Sequence, residues 1–355
     1  MRRLISTVCL GVAPIFTGAA FAQDAPRVVA DIAPVRAVVA QIMEGVGEPQ
    51  QILPTGASPH GYAMRPSEAR ALREADLVVW VGPALTLWLE EPLDTLAGTA
   101  ARLTLMDIEG TTELPLREAE FLKADADADG HDHDHDPEKE HADEHGDKHG
   151  DEHADDHEGE HGDEHAGEHG EEKGHDDAHD HDHAHHGDVD PHGWLDLDNI
   201  LTWGEVIAHD LAELDPANKA IYARNWAEMR DEVTALRAEI TDTLSGVTGE
   251  PFIVLHDAFQ YFEASFGVEA DAFIIPGDGS APGPARLKAL RDYLADHPAT
   301  CAFTAPQENE SLMRTAVNTD TTRFAVLDPI GDGAKPYAEL MRSFAADMAG
   351  CLSKS

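Results

Sequence analysis

The sequence predicts an α/β protein of two parallel-sheet lobes joined by a long backbone helix, with a His/Asp/Glu-rich loop inserted in the N-terminal lobe. Three observations carry this. Short apolar runs alternate with amphipathic helical patterns in 27–108 and again in 252–350, which predicts a parallel sheet covered by helices in each half. Between them, 216–246 carries one apolar stripe, Trp226, Met229, Val233, Leu236, Ile240 and Leu244, on a helix of about thirty residues. Such a helix is roughly 45 Å long, enough for a rigid spine. Finally, 124–190 is nearly devoid of apolar residues to bury, so composition predicts an unfolded loop.

In order, the chain begins with Arg2 and Arg3, an apolar stretch, and Ala20-Phe21-Ala22 before Gln23. This reads as a cleaved secretory signal over 1–22, so the mature protein is expected to be soluble and exported, most simply to a bacterial periplasm. Cys9 leaves with that segment. Residues 23–123 form the first part of the N-terminal lobe: strands at 27–32, 48–53, 77–81 and 103–108, and helices at 34–46, from Pro66, and at 86–90. The second strand runs into the turn-rich segment 54–62, which places His60 at a strand's carboxyl end, where open α/β sheets bind ligands.

The loop at 124–190 follows. Seventeen of the 22 histidines lie in it: His131, His133, His135, His141, His145, His149, His153, His157, His161, His165, His169, His175, His179, His181, His183, His185 and His186. Imidazole with carboxylate suits borderline divalent metals such as zinc, and this density reads as a metal-collecting tract. The formal net charge is −44, and 28 acidic against three basic residues fall in 124–190, so both the loop and the remainder are acidic. Nucleic acid is excluded as an expected partner, and cations are favoured.

Residues 191–214 complete the N-terminal lobe with a helix at 199–214, and 215–249 hold the backbone helix, with Asp215 as its expected cap and Pro216 as its opening residue. The C-terminal lobe, 250–355, has strands at 252–255, 270–275, 300–304 and 323–327, and helices at 258–266, 285–297, 308–318 and 336–350. His256 and Asp328 lie just past strand ends, as His60 does. His209 and His297 fall on helices and read as structural or surface positions, and Glu263 reads as a surface residue. The mature chain keeps two cysteines, Cys301 and Cys351, an even count that in an oxidising compartment predicts one disulfide, pinning the last helix to a strand.

Four segments carry a family resemblance: Gly56-Ala57-Ser58-Pro59-His60-Gly61-Tyr62 with Arg65-Pro66-Ser67 after it, Asp190-Pro191-His192-Gly193-Trp194, Leu255-His256-Asp257-Ala258-Phe259-Gln260-Tyr261-Phe262, and Leu327-Asp328-Pro329-Ile330-Gly331. In this order they resemble the ligand motifs of the cluster of ABC-transporter substrate-binding proteins for zinc and manganese. The His-rich insertion and the late cysteine pair resemble its zinc-specific, ZnuA-type branch. The resemblance implies a metal held between the lobes by His60, His192, His256 and Asp328, and delivery to an inner-membrane ABC permease by a monomeric, non-enzymatic binding protein. Some relatives carry an acidic residue immediately before the first histidine, where this chain has Pro59. Three imidazoles and one carboxylate suit zinc, whereas manganese-binding relatives carry an acidic residue where His256 stands. Water is the alternative to Asp328. Ordinary imidazoles would make affinity fall below about pH 6.5. A zinc buffer working without a transporter would use the same residues. A secreted zinc hydrolase is disfavoured because no H-E-x-x-H helix and no committed general base is present.

Overall fold

The computed structural model describes residues 25–118 and 189–353, apart from 318 and 332. The signal segment and all seventeen loop histidines lie outside the described residues. Among those described, two four-stranded parallel sheets form. The first contains β1 (Val28–Ala30), β2 (Gln50–Gln51), β3 (Leu77–Trp80) and β4 (Ala101–Thr104), in the order β2-β1-β3-β4. The second contains β5 (Phe252–His256), β6 (Ala272–Ile275), β7 (Cys301–Thr304) and β8 (Arg323–Val326), in the order β6-β5-β7-β8. The two orders are equivalent, and the central strands read VVA, LVVW, FIVLH and CAFT because both of their faces are buried.

In the first lobe, α1 (Ala33–Ile42), opened by a proline in its first turn, buries Val35, Val38, Val39 and Ile42 in the main core. A second core on the other sheet face gathers Val29, Val78 and Trp80 with Ala71 and Leu72 of α2 (Pro66–Glu74) and Leu89 and Leu93 of α3 (Pro83–Leu96). Helix α3 is longer than 86–90 because Pro83 can open it, but it kinks at Thr86 and carries Pro92 inside. The α4 helix (Leu197–Leu214) is capped by Asp196, whose carboxylate accepts the Asp198 N–H at 2.9 Å.

The spine, α5, spans Lys219–Leu244, 26 residues rather than thirty. Asp215 ends α4 instead of capping α5: its carboxylate accepts the Asn218 amide at 2.7 Å and the Tyr222 hydroxyl at 2.9 Å. Pro216 therefore sits in the turn between the helices. Met229, Val233, Leu236, Ile240 and Leu244 are buried as predicted, joined by Tyr222 and Asn225. Trp226 is only half-buried, and its ring packs against Gly204 of α4, where any side chain would collide with it.

The spine ties to both lobes. Asn225 Nδ2 donates to the carbonyls of Ile42 and Glu44, and Arg342 of the last helix pairs with Glu232 and Glu239. The remaining helices are α6 (Gln260–Phe266), α7 (Pro284–Asp296), α8 (Glu310–Ala316) and α9 (Tyr337–Leu352). A disulfide joins Cys301 of β7 to Cys351 of α9 with a Cα–Cα distance of 6.1 Å, the predicted pin. No helix among the described residues is long and apolar enough to cross a membrane.

Candidate metal centre

Three of the four expected ligands converge. His60 comes from the 54–62 turn after β2, His192 from the segment entering the one-turn 3-10 helix Gly193–Leu195, and His256 ends β5 rather than following it. Each offers a ring nitrogen, and the three atoms lie within 4.8 Å of one another. The Nε2 atoms of His60 and His256 are 3.1 Å apart. Two nitrogens on a tetrahedral zinc, each about 2.0–2.1 Å from it, stand roughly 3.3 Å apart, so this spacing fits one ion.

Local structure aims each ring. The Asp190 Oδ1 accepts the backbone N–H of His192 at 2.9 Å and lies 2.7 Å from its Nδ1. A proton on Nδ1 satisfies this contact and leaves Nε2 with its lone pair toward the cluster. With its amide turned to donate, Gln260 reaches Asp190 Oδ2 at 3.0 Å, and the Tyr261 hydroxyl donates to the Asp190 carbonyl at 2.9 Å. The third motif thus supports the second. The His60 turn is held by the Trp88 indole, which donates to the Pro59 carbonyl at 2.7 Å, while Tyr62 packs edge-on against Trp88. From the opposite lobe, Gly279 lies against the His60 ring: a Cβ at that position would sit 2.8 Å from the ring. Trp194 closes the floor, donating to the Pro329 carbonyl at 2.8 Å while its own carbonyl accepts from the Tyr337 hydroxyl at 2.7 Å.

Burial disfavours the charged forms of His60 and His256. Burial, then repulsion from His192 and His256, pushes His60 down to about 2. Burial, then His192, pushes His256 down to about 3. For these two rings, proton competition is therefore expected at lower pH than the ordinary imidazole value of about 6.5.

Asp328 is not part of the cluster. Its Oδ1 accepts the N–H groups of Ile330 and Gly331 at 3.1 and 2.8 Å, and it faces a different cavity, beside Ala33, Pro34 and Leu340. The D-P-I-G segment is a turn whose aspartate closes on its own backbone, a competition that spacing alone does not reveal. Its neighbours Pro329 and Ile330 do line the histidine cavity. His209 and His297 are exposed, as expected. Glu263, expected at the surface, is 3% exposed and paired with Arg117 at 2.7 Å. The same guanidinium pairs with Asp257, next to His256, at 2.6 Å. Nothing local to Arg117 marks it; Asp190 was visible within its motif but without a role.

Comparison with known proteins supplies the family. Residues 28–351 match the family profile of ZnuA, the zinc-uptake complex component A, periplasmic. The high-affinity zinc uptake system protein ZnuA of Paracoccus denitrificans is 40% identical over 334 residues, covering 93% of this chain and 92% of the relative. The protein of that name from Brucella suis is 38% identical over 343 residues, covering 96% and 95%. Among solved structures, a crystal structure of ZnuA superposes with a TM-score of 0.66 at 20% identity, covering 93% of this chain and 100% of the other. The substrate-binding protein FpvC of Pseudomonas aeruginosa, in complex with Mn2+, gives 0.64 at 19%, covering 93% and 99%. These structures share the two-lobed fold, and the sequence relatives supply the assignment: this chain belongs to the ZnuA family of periplasmic zinc-uptake components.

Proposed function

We propose that the protein captures zinc in the periplasm on His60, His192 and His256, between its two lobes, and hands it to an ABC permease for high-affinity uptake. The observation that carries this is the convergence of three imidazoles from three separate segments, in a family of zinc-uptake components. Three clustered imidazoles, two of them buried and one partly buried, are poised for a divalent ion, and the fourth position is left to water. Family membership supports reading the chain as a binding component rather than an enzyme. It acts as a monomer after its signal segment is removed.

Release proceeds by local rearrangement of the ligand turns, since α5 is bonded to both lobes and resists hinge bending. The His-rich loop raises the local zinc concentration beside the tight site through several weaker ones. Its two stems leave the body side by side: Pro115 bridges Val189, and the Asp190 N–H donates to the Leu114 carbonyl at 2.8 Å. Residues 131–186 can therefore be deleted without parting the flanks.

Chelator competition on that deletion variant is the test. One tight zinc per chain, lost on His60→Ala or His256→Ala, is expected. Absence of tight binding in the deletion variant would make the loop the receptor. For the loop, slower uptake at scarce zinc after deletion is expected, and unchanged uptake would refute the capture role.

A further inference from the structure

Three neutral imidazoles bound to zinc leave a site with two positive charges; the buried Asp190 carboxylate on His192 Nδ1 offsets one of them, and the remaining buried charge is costly. A second carboxylate, at the open fourth position rather than behind a ligand ring as Asp190 is, is the chemical answer, and three places come into question. The residue before His60 is Pro59, which has no charge and whose carbonyl is taken by Trp88. Asp328 is folded onto its own turn and faces another cavity.

Glu308 remains. It is the one acidic residue among the described residues lining the cavity of about 210 Å³ that holds the three histidines. It sits in the turn after β7, where its N–H donates to the Ala305 carbonyl at 3.0 Å and its Oε2 accepts the Ala305 N–H at 2.6 Å. One carboxylate oxygen is thus fixed by the backbone, and the other has no hydrogen bond among the described residues. Burial pushes this carboxyl up to about 7, so it is a group that gains from a nearby cation.

We propose that Glu308 serves the fourth coordination position of the bound zinc, its second oxygen accepting a hydrogen bond from the water that completes the tetrahedron. The inference rests on the three-histidine reading above. Glu308 is not assigned as a direct ligand, because it is not among the groups whose ligand atoms lie within 4.8 Å of one another. The carboxylate reduces the site's charge by one and holds the water in place, an outer-shell role that affects metal affinity.

The test uses the full mature chain and its Glu308→Gln, Asp328→Asn and His256→Ala variants. Glutamine keeps an acceptor for the Ala305 N–H, and asparagine keeps one for Ile330 and Gly331, so neither turn loses its bond. Zinc affinity is read by chelator competition, with the His256→Ala protein giving the contribution of the loop. The visible spectrum of the Co2+-loaded protein reports the coordination shell. Expected are a zinc affinity about 10–100-fold weaker for E308Q, an altered Co2+ spectrum, an unchanged melting temperature of the metal-free protein, and parental binding by D328N. Parental affinity and spectrum in E308Q would overturn the proposal, as would a loss in D328N without one in E308Q. Retention of the tight ion by H256A would overturn the three-histidine reading as well, so the two failures are distinguishable.

Discussion

Gly279→Ala is a small change at the contact that closes one lobe on the other. Gly279 has φ +75°, and a Cβ there would lie 2.8, 2.9 and 3.1 Å from Cγ, Cβ and Cδ2 of His60. Ordinary contact begins near 3.4 Å, so His60 would have to retreat by about 0.6 Å. Metal–ligand distances hold to within about 0.2 Å, so the ring cannot retreat and stay bonded. The left-handed backbone costs alanine a further ~1–2 kcal/mol. We expect zinc affinity to fall about 10–100-fold, the range for disturbed ligand support, with a modest loss of metal-free stability. Chelator competition reads the first and thermal unfolding the second. Gly283→Ala is the matched control: it lies in the same turn-rich segment, φ is −75°, and a Cβ there would meet nothing within 4 Å. Parental zinc affinity in a folded Gly279→Ala protein would refute the reasoning, because His60 would then not depend on the space left by the glycine.

Further outcomes follow from the same geometry. Arg117→Ala leaves Asp257 and Glu263, 1% and 3% exposed, without their cation. A loss of about 3–5 kcal/mol is expected in urea unfolding, and a loss near the ~1 kcal/mol of a surface pair would show that the triad is not structural. Converting Cys301 and Cys351 to serine opens a loop with a sequence separation of 50, worth about 4 kcal/mol in the chain-entropy account; equal urea midpoints for the oxidised parent and the variant would contradict this. In the metal-free protein, burial disfavours charged His60 and His256, so nitrogen NMR is expected to find both rings neutral from pH 7.5 to 5. The unfolded chain protonates them below about 6.5. These two rings therefore favour folding above that pH and favour it progressively less as pH falls toward their folded values. Titration of either ring near 6.5 would contradict the buried site.

Much of this protein is decided by short-range pattern. Parallel strands buried on both faces are continuous apolar runs, so β1, β3, β5 and β7 stand out, and the 3.6-residue stripe from Met229 to Leu244 marks the spine. His60, His192 and His256 could be singled out because each sits in a turn or strand end with a local signature. Element ends were less legible. Asp215 and Pro216 look like a helix start, but the Tyr222 hydroxyl and the Asn218 amide capture the carboxylate and delay the helix to Lys219.

What only the tertiary structure decides is which side chains spend their hydrogen-bonding capacity elsewhere and which meet across the lobes. Asp328 carries a ligand's chemistry, but its own turn consumes one oxygen and turns it toward another cavity. Arg117 closes on Asp257 and Glu263 from 140 residues away or more, Gly279 makes room for His60, and Glu308 enters the cavity from a turn with no ligand motif. Such contacts have no period and no spacing, because the chain separation between partners is set by how the lobes pack. The residue types that can hold zinc are a property of the sequence; the positions that do so depend on desolvation and on hydrogen bonds made across the lobe interface.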